Sequence, residues 1–409
     1  FNMKVSVVPW LLRAALLAAV LAPGRPLAVS SVGSEVRLLA TPPSALAPVL
    51  ASQSRAQRVW KTIAEGLDPF GMDMPQELGR EAAKLLREAF PLEAARGELC
   101  TGVDAAVGDV AADGTTKILV HLQDGLMAET VLIPTDSRTT ICVSSQVGCA
   151  RACAFCSTGA MGLIRSLDAH EILGQLFAGM QEAQRRELPP LTNVVFMGMG
   201  EPADNLEQVH LAARTMVEGF RLGNSHISVS TVGPSPEAIE ALESLPTRLA
   251  WSVHAAEDDV RRVLVPTTRH SMVELRDAFA RVLARRRDRG LFVEVALVEG
   301  LNDSPHHALA LAELLRPLPG KTRVNLLPYN PFAPEASDLP RAQAHALFRT
   351  PSPETVKTFQ DVLYSEGFVC TVRSTRGADS ASACGQLANR ASLSQSRRPS
   401  KEVPPAASS

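Results

Sequence analysis

Short runs of β-branched and other apolar residues alternate with helical patterns along the chain from Thr139 onward. Continuous apolar runs of four to eight residues indicate buried strands, whereas apolar positions spaced three or four apart indicate helices. The pattern therefore predicts six strands, over Thr139–Val143, Asn193–Met197, Ile227–Val232, Arg248–Val253, Leu291–Val298 and Arg323–Leu327.

The helices between these strands have recognisable starts. Asp168 with Glu171 forms a capping-box pattern, Ser235 precedes a proline suited to the first helical position, and Ser271 and Ser304 begin two more helices. Alternating strands and helices imply parallel strands with right-handed crossovers. Six units are too few for a closed eightfold barrel, so we predict an α/β fold with an open, partial (βα)6 barrel. Its active site should lie at the C-terminal ends of the strands.

The region before the barrel has a different organisation. Helical patterns come first, and strand-like pieces follow an Asp113–Gly114 turn, over Lys117–Leu122 and Glu129–Ile133. We predict a small α+β accessory domain over residues 36–133 and a barrel core, with its C-terminal segment, over residues 134–390.

Both ends of the sequence differ from the middle in composition. An apolar run, Ala14–Ala22, follows basic residues, and Glu35 is the first acidic residue, which is typical of a targeting leader over residues 1–35. Such a leader predicts a plastid or other organelle matrix, and without it the cytoplasm. Residues 391–409 are rich in Ser, Arg and Pro and are predicted to be disordered. Because no apolar stretch is long enough to span a bilayer, we expect no stable membrane association.

Composition and charge are those of an ordinary globular protein. The 409 residues are 45% hydrophobic and 21% charged, and the formal net charge is −2. Net charge therefore does not mark the chain as a nucleic-acid binder. Charge pattern alone favours solvated helix faces for the local basic clusters, which are Arg261 with Arg262, Arg269, and Arg285, Arg286, Arg287 and Arg289.

Four of the seven cysteines, Cys142, Cys149, Cys153 and Cys156, lie close together. The last three form a C-x3-C-x2-C motif directly after the first barrel strand, and three thiolates so placed can bind three irons of a [4Fe–4S] cluster. A structural zinc site needs four ligands, usually from two cysteine or histidine pairs, and the motif has no second pair. The spacing and position are similar to those of the radical S-adenosylmethionine (SAM) superfamily, in which SAM chelates the fourth iron.

Short polar residues and glycines follow several predicted strands, where a barrel binds its ligand. Glycine permits close backbone approach, and the carboxylate in Gly198–Pro202 can meet the SAM ammonium group. Taken singly, such residues are more often turn or core residues, but their shared location favours a site. The predicted SAM-binding residues are Gly200, Glu201, Ser230, Ser252, Val253, His254 and Asn330.

Four longer strings extend the resemblance to one family. They are Arg138–Cys149, Phe196–Pro202, Asn325–Phe332 and Arg373–Leu387. On these strings the chain resembles the radical SAM methyltransferases that modify C2 of adenine in 23S ribosomal RNA. The resemblance spans roughly residues 55–390 and implies one [4Fe–4S] cluster and SAM as cofactors.

The resemblance also assigns a catalytic cysteine pair. It implies that SAM methylates Cys384 and that a 5′-deoxyadenosyl radical from a second SAM removes hydrogen from this S-methyl group. The resulting methylene radical adds to adenine C2, and Cys142 then releases the product by forming a disulfide with Cys384. Glu129 matches the family glutamate implicated in proton removal, although without the resemblance a surface carboxylate on a strand would be the favoured interpretation.

The family further implies ribosomal RNA as partner, permits tRNA, and requires an electron donor such as flavodoxin or ferredoxin. We expect a monomer, with phosphate contacts from Arg55, Arg58 and Lys61 in the accessory domain. Three alternatives stay open at this point. They are methylation at adenine C8 by the same two cysteines, a non-catalytic iron–sulfur RNA-binding factor, and a radical SAM enzyme acting on a small molecule.

Overall fold

The computed structural model describes residues 36–71, 78–331, 348–373, 376–377, 382 and 385–387. The predicted leader, the predicted disordered tail and Cys384 lie outside these ranges. Among the described helices, none combines the length and apolar character that crossing a membrane requires.

Twelve strands are described, ten of them in one sheet. They are β1 (Val103–Val110), β2 (Thr116–Leu122), β3 (Met127–Pro134), β4 (Thr139–Cys142), β5 (Gln146–Gly148), β6 (Leu163–Ser166), β7 (Leu191–Phe196), β8 (Ile227–Thr231), β9 (Arg248–Ser252), β10 (Leu291–Leu297), β11 (Thr322–Pro328) and β12 (Val369–Val372). The sheet has the order β1-β2-β3-β4-β7-β8-β9-β10-β11-β12, and β5 and β6 form a separate hairpin.

The described α-helices lie before the sheet and between its parallel strands. They are α1 (Pro43–Val49), α2 (Gln53–Ala64), α3 (Arg80–Ala89), α4 (Pro91–Arg96), α5 (Ser157–Met161), α6 (Ala169–Arg185), α7 (Leu206–Glu218), α8 (Pro236–Glu240), α9 (Asp258–Leu264), α10 (Met272–Arg285), α11 (Pro305–Leu315) and α12 (Pro353–Ser365).

The predicted barrel is confirmed. All six predicted strands are present as β4 and β7 to β11, and neighbouring strands pair in parallel. A seventh parallel strand, β12, pairs with β11 at the far edge and was not predicted. The strands are continuous apolar runs because helices cover one face and the barrel interior covers the other.

The predicted helix starts are confirmed by their hydrogen bonds. The Ser235 hydroxyl accepts a hydrogen bond from the Ala238 amide at 3.2 Å, which caps α8. Ser271 and Glu274 form a capping box at α10, as Asp168 and Glu171 do at α6. Each cap satisfies amide groups that the first turn of a helix leaves without partners.

The accessory region and the barrel share one sheet and one core. Strands β1 to β3 are antiparallel and extend the barrel sheet through the pairing of β3 with β4. On the helical side, the Trp60 ring of α2 packs against Phe220 with 5.5 Å between centroids. A Cβ at Gly219 would lie 2.4 Å from the Trp60 ring, so this contact requires glycine. The sheet and core thus continue across the predicted boundary after residue 133.

Candidate active site

A cleft opens at the C-terminal ends of the parallel strands. It encloses about 1020 Å³ including its open mouth, which is large enough for a ligand of the size of SAM. Its lining includes all three motif cysteines and six of the seven predicted SAM-binding residues, namely Gly200, Glu201, Ser230, Ser252, His254 and Asn330. The exception is Val253, whose side chain is fully buried in the hydrophobic core.

The cysteine loop leaves the β5 hairpin strand at a constrained glycine. Gly148 has φ +76°, and a Cβ there would lie 1.9 Å from the Gly162 carbonyl oxygen, so only glycine fits before Cys149. Backbone hydrogen bonds then hold the loop: the Ala154 amide donates to the Leu264 oxygen at 2.8 Å, and the Thr267 hydroxyl donates to the Arg151 oxygen at 2.9 Å. These two bonds do not involve the cysteine side chains, whereas the Arg151 amide donates to the Cys149 sulfur at 3.4 Å.

The three thiols form one wall of the cleft. Burial, together with repulsion from the neighbouring Cys156, raises the pKa of Cys153 to about 12, and burial likewise raises the pKa of Cys149. Thiolates in this position need a cation, which an iron–sulfur cluster supplies. Each thiolate of such a cluster binds a different iron, and no three His, Cys, Asp or Glu side chains of the described chain converge on a single-ion site. The residues therefore fit a cluster better than one zinc ion.

Glu201 holds the turn after β7 against the neighbouring strand. Its Oε1 accepts from the Ala203 amide at 2.9 Å and its Oε2 from the Val232 amide at 3.0 Å. Burial raises the pKa of Glu201, although these hydrogen bonds oppose the rise. The preceding Gly200 has φ +100°, and a Cβ there would lie 2.6 Å from Gln146, so the turn requires glycine. Both carboxylate oxygens thus serve the turn.

Arg261 lies behind the cleft and is 1% exposed, so the interpretation of this residue as part of a solvated helix face was wrong. Its guanidinium donates to the Ser252 oxygen at 2.8 Å, to the Val232 oxygen at 2.7 Å and to the Val253 oxygen. Arg286 is half-buried, and it too donates to backbone carbonyls, which include that of Glu243 at 2.8 Å. A planar guanidinium can bridge several backbone carbonyls at once. Both arginines therefore bond to the backbone and do not belong to a solvated helix face.

Arg261→Met is expected to lower the free energy of unfolding by about 3 kcal/mol, because it leaves three buried carbonyls without their donor. Arg261→Lys should recover only part of this loss, since one ammonium group cannot span the ends of β8 and β9. Urea unfolding followed by circular dichroism measures both variants. A loss below about 0.5 kcal/mol for Arg261→Met, within the range of surface substitutions, would show that these bonds do not stabilise the strand ends.

His254 is held as a neutral donor. Its Nδ1 accepts from the Ala296 amide at 3.1 Å, which places the proton of the neutral ring on Nε2. Its ring packs on Phe155 of the cysteine loop, with 4.5 Å between centroids. Burial lowers the pKa of His254 well below its ordinary value, and Arg261 adds to this effect. His254 therefore stays uncharged across the physiological pH range.

The His254 pKa predicts a pH-dependent stability. The unfolded chain takes up a proton near pH 6.5 and the folded chain does not, so stability is complete above pH 6.5 and falls below it. Between pH 7.5 and 5.5 this one group should remove about 1.4 kcal/mol. His254→Asn suits the positive φ of +58° at this position. In this variant the free energy of unfolding, measured by urea titration at each pH, should fall less between pH 7.5 and 5.5, by that same amount. An unchanged slope would mean that His254 is protonated in the folded protein.

Cys142 and Glu129 lie on neighbouring strands beside the cleft. Cys142 ends β4 opposite Val131 of β3, and its side chain belongs to an apolar cluster with Met199 and Leu387. Glu129 is 4% exposed, and its Oε2 lies 3.8 Å from Lys117 Nζ, so it is a buried carboxylate and not the surface group favoured without the resemblance. Neither residue is part of the cleft lining, whereas Leu387 is.

Two charged residues that line the cleft were not predicted from the sequence. Arg151, between two motif cysteines, pairs with Asp204 at 2.8 Å and ties the cysteine loop to the turn after Glu201. Glu294 lines the cleft from the middle of β10 and is 4% exposed. The signal for Glu294 was present, because it is the one charged residue in the otherwise apolar strand Leu291–Leu297.

Comparison with known proteins places this geometry in a family. A family model described as the radical SAM superfamily matches residues 143–312. The dual-specificity RNA methyltransferase RlmN of Marinobacter nauticus is 39% identical over 347 residues, which cover 82% of this chain and 87% of the relative. The chain belongs to the dual-specificity RNA methyltransferase family of radical SAM enzymes.

A second relative and a solved structure agree with this family. The probable dual-specificity RNA methyltransferase RlmN of Thermosynechococcus vestitus is 37% identical over 353 residues, 83% of this chain and 98% of that protein. The crystal structure of a radical SAM methyltransferase from Sphaerobacter thermophilus has a TM-score of 0.71 at 34% identity, and the match covers 87% of this chain and 100% of that one. The predicted family, fold class and SAM-dependent RNA methyltransferase activity are thereby confirmed. Radical SAM membership implies a [4Fe–4S] cluster and SAM.

Proposed function

We propose that this enzyme methylates C2 of an adenosine in 23S-type ribosomal RNA, with tRNA as a further substrate, through a methylated Cys384. The observation that carries the proposal is the attachment of residues after Cys384 to the start of α5, directly after the motif cysteine Cys156. The Ser157 amide donates to the Gly385 oxygen at 2.7 Å, and the Thr158 hydroxyl donates to the Leu387 oxygen at 2.6 Å. Gly385 and Leu387 both line the cleft.

The cysteine pair and the glutamate have separate roles in the proposed reaction. Cys384 carries the methyl group, and Cys142 attacks the Cys384 sulfur to release the product. After the methylene radical adds to C2, the base must lose one electron, for which the oxidised cluster would be the acceptor, and Glu129, the buried carboxylate on the strand beside Cys142, takes the C2 proton. The cluster, bound by Cys149, Cys153 and Cys156, would supply the electron that cleaves SAM. A radical route suits adenine C2, because this aromatic carbon has no lone pair that could attack the methyl group of SAM directly.

Substrate access in this proposal depends on the accessory region. Arg55, Arg58 and Lys61 lie on α2, where Arg58 and Lys61 are exposed, and they would contact RNA phosphates. Such contacts orient folded RNA without reading its sequence. The target adenine must leave its base stack to enter the cleft.

Compartment and electron supply complete the proposal. The leader composition of residues 1–35 favours a plastid or other organelle matrix. Flavodoxin or ferredoxin is the proposed class of electron donor, and a monomer is the proposed state.

Mass spectrometry of nucleosides tests the position of methylation. Reconstituted protein is incubated anaerobically with SAM, a reductant and 23S rRNA that lacks the modification. We expect 2-methyladenosine. Formation of 8-methyladenosine alone would assign the sister activity, and no methyladenosine despite an intact cluster would favour a non-catalytic RNA-binding factor.

A further inference from the structure

Two carboxylates, Glu201 and Glu294, line the cleft, and they differ in how their oxygens are used. Both oxygens of Glu201 accept backbone amides of the turn after β7 and of the strand beside it. Glu294 Oε1 accepts from Asn325 Nδ2 at 2.8 Å and lies 3.4 Å from Arg373 Nη2. Its Oε2 is shielded from bulk solvent and has no hydrogen-bond partner within the described part of the chain.

A buried acceptor without a partner is costly unless a ligand supplies the donor. Leaving a buried polar atom unsatisfied costs about 1–3 kcal/mol, and more for a charged group. Burial also raises the pKa of Glu294, against the opposing effects of Arg373 and Asn325. Native proteins retain few such groups, and those retained at a cleft commonly serve it.

Strand register places Glu294 in a row of hydrogen-bonding side chains. Ser252 of β9, Glu294 of β10, Asn325 of β11 and Thr371 of β12 are direct partners across adjacent strands, so their side chains share one face. Thr371 donates to Asn325 Oδ1, which orients the Asn325 amide toward Glu294. At the other end, the Ser252 and Ser230 hydroxyls are 3.0 Å apart. Asn325 and Thr371 therefore hold Glu294 from the β11 side, and the two serines lie on its β9 side.

The position of the row indicates which half of SAM it meets. The methionine half must reach the iron held by the cysteine loop, which lies over the C-terminal ends of β9 to β11, where Phe155 packs on His254 and joins the cluster of Tyr329. Glu294 lies three residues before the end of β10, deeper in the barrel than those contacts. On the adenosyl half, the ribose hydroxyls are donors that suit a row containing two serine hydroxyls.

We propose that Glu294 is a positioning residue whose Oε2 accepts a hydrogen bond from a ribose hydroxyl of bound SAM. The proposal rests on the proposed function in so far as SAM occupies this cleft. Arg373 opens the segment that leads to Cys384, and its Nη2 lies 3.4 Å from the same carboxylate. Glu294 thereby connects the ribose to the chain that carries the methyl group.

A cycle of protein and ligand changes tests this contact. Cluster-loaded protein, without RNA or reductant, is titrated with SAM, 2′-deoxy-SAM and 3′-deoxy-SAM by equilibrium dialysis. For the wild type, removing the contacted hydroxyl should weaken binding roughly 10- to 100-fold, as expected for a hydrogen bond to a charged group. Glu294→Gln keeps the Oε1 acceptor for Asn325 and the side-chain volume, and its penalty for the same analogue should fall to a few-fold. In Glu294→Leu the penalty should vanish.

The exposed Glu299 provides the matched control, since Glu299→Gln should retain the full wild-type penalty. Equal penalties in the wild type and in Glu294→Gln would overturn the proposal. Unchanged SAM affinity combined with weaker RNA binding in the Glu294 variants would also overturn it, by assigning the carboxylate to the target adenosine. Failure of the proposed function is distinguishable, because a wild type that binds SAM but makes no methyladenosine still reports the ribose contact.

Discussion

Cys142→Ala is expected to leave the protein covalently attached to its RNA substrate. In the proposed reaction the methyl carbon on the Cys384 sulfur becomes bonded to adenine C2, so the protein and the RNA are joined through that carbon. Release requires a second thiolate that attacks the Cys384 sulfur and forms a disulfide, while the carbon departs with the base and takes up a proton to become the methyl group. The reductant then returns the disulfide to two thiols. We assign this step to Cys142, which is buried at the end of β4 in the cluster with Leu387.

Multiple turnover by Cys142→Ala should fall roughly 1000-fold or more, as when a covalent catalyst loses an essential partner. A denaturing gel with labelled RNA should show a band of protein and RNA migrating together, at about one RNA per protein. Cys100→Ala is the matched control because Cys100 is also buried and is not among the residues that line the cleft. Repeated turnover by Cys142→Ala without a joined product would contradict the assigned role.

Cys153→Ala is expected to abolish cluster binding and all methyl transfer while the chain still folds. The loop is held by backbone and threonine hydrogen bonds, such as Cys156 amide to Cys153 oxygen at 3.1 Å, which the substitution preserves. The substitution removes one of three thiolate ligands to iron. Among the described residues no fourth cysteine lines the cleft to replace it.

Iron content and the visible absorption of the cluster measure the Cys153→Ala effect, with circular dichroism as the folding control. We expect no methyladenosine and a far-ultraviolet spectrum like that of the wild type. Cys100→Ala should retain both iron and activity. A full iron complement in Cys153→Ala would show that the cluster is bound elsewhere.

The sequence predicts the interior strands better than the edge strands. β10 and its neighbours are buried on both faces, so apolar runs mark them clearly. β1 and β12 lie at the two edges of the sheet, and most of their residues are exposed or half-buried. Their composition carries little of the periodic signal, which is why neither was predicted.

Site residues at strand ends are predictable because a parallel barrel brings those ends together, which explains Ser230, Ser252 and His254. Residues whose role depends on burial are not predictable in this way. Arg261 looks like a surface charge beside Arg262, and only the packing of α9 shows that its guanidinium reaches three carbonyls. Val253 sits between two cleft residues in the sequence, yet alternation along the chain turns its side chain into the core.

Isotope tracing of the transferred methyl group tests the central claim most directly. The protein is incubated anaerobically with a reductant, unmodified 23S rRNA and SAM whose methyl group carries three deuterium atoms. If Cys384 carries the methyl group and one hydrogen is removed there before transfer, the 2-methyladenosine formed retains two deuterium atoms, and Cys384→Ala forms none. Retention of all three deuterium atoms, or 2-methyladenosine formed by Cys384→Ala, would contradict the account.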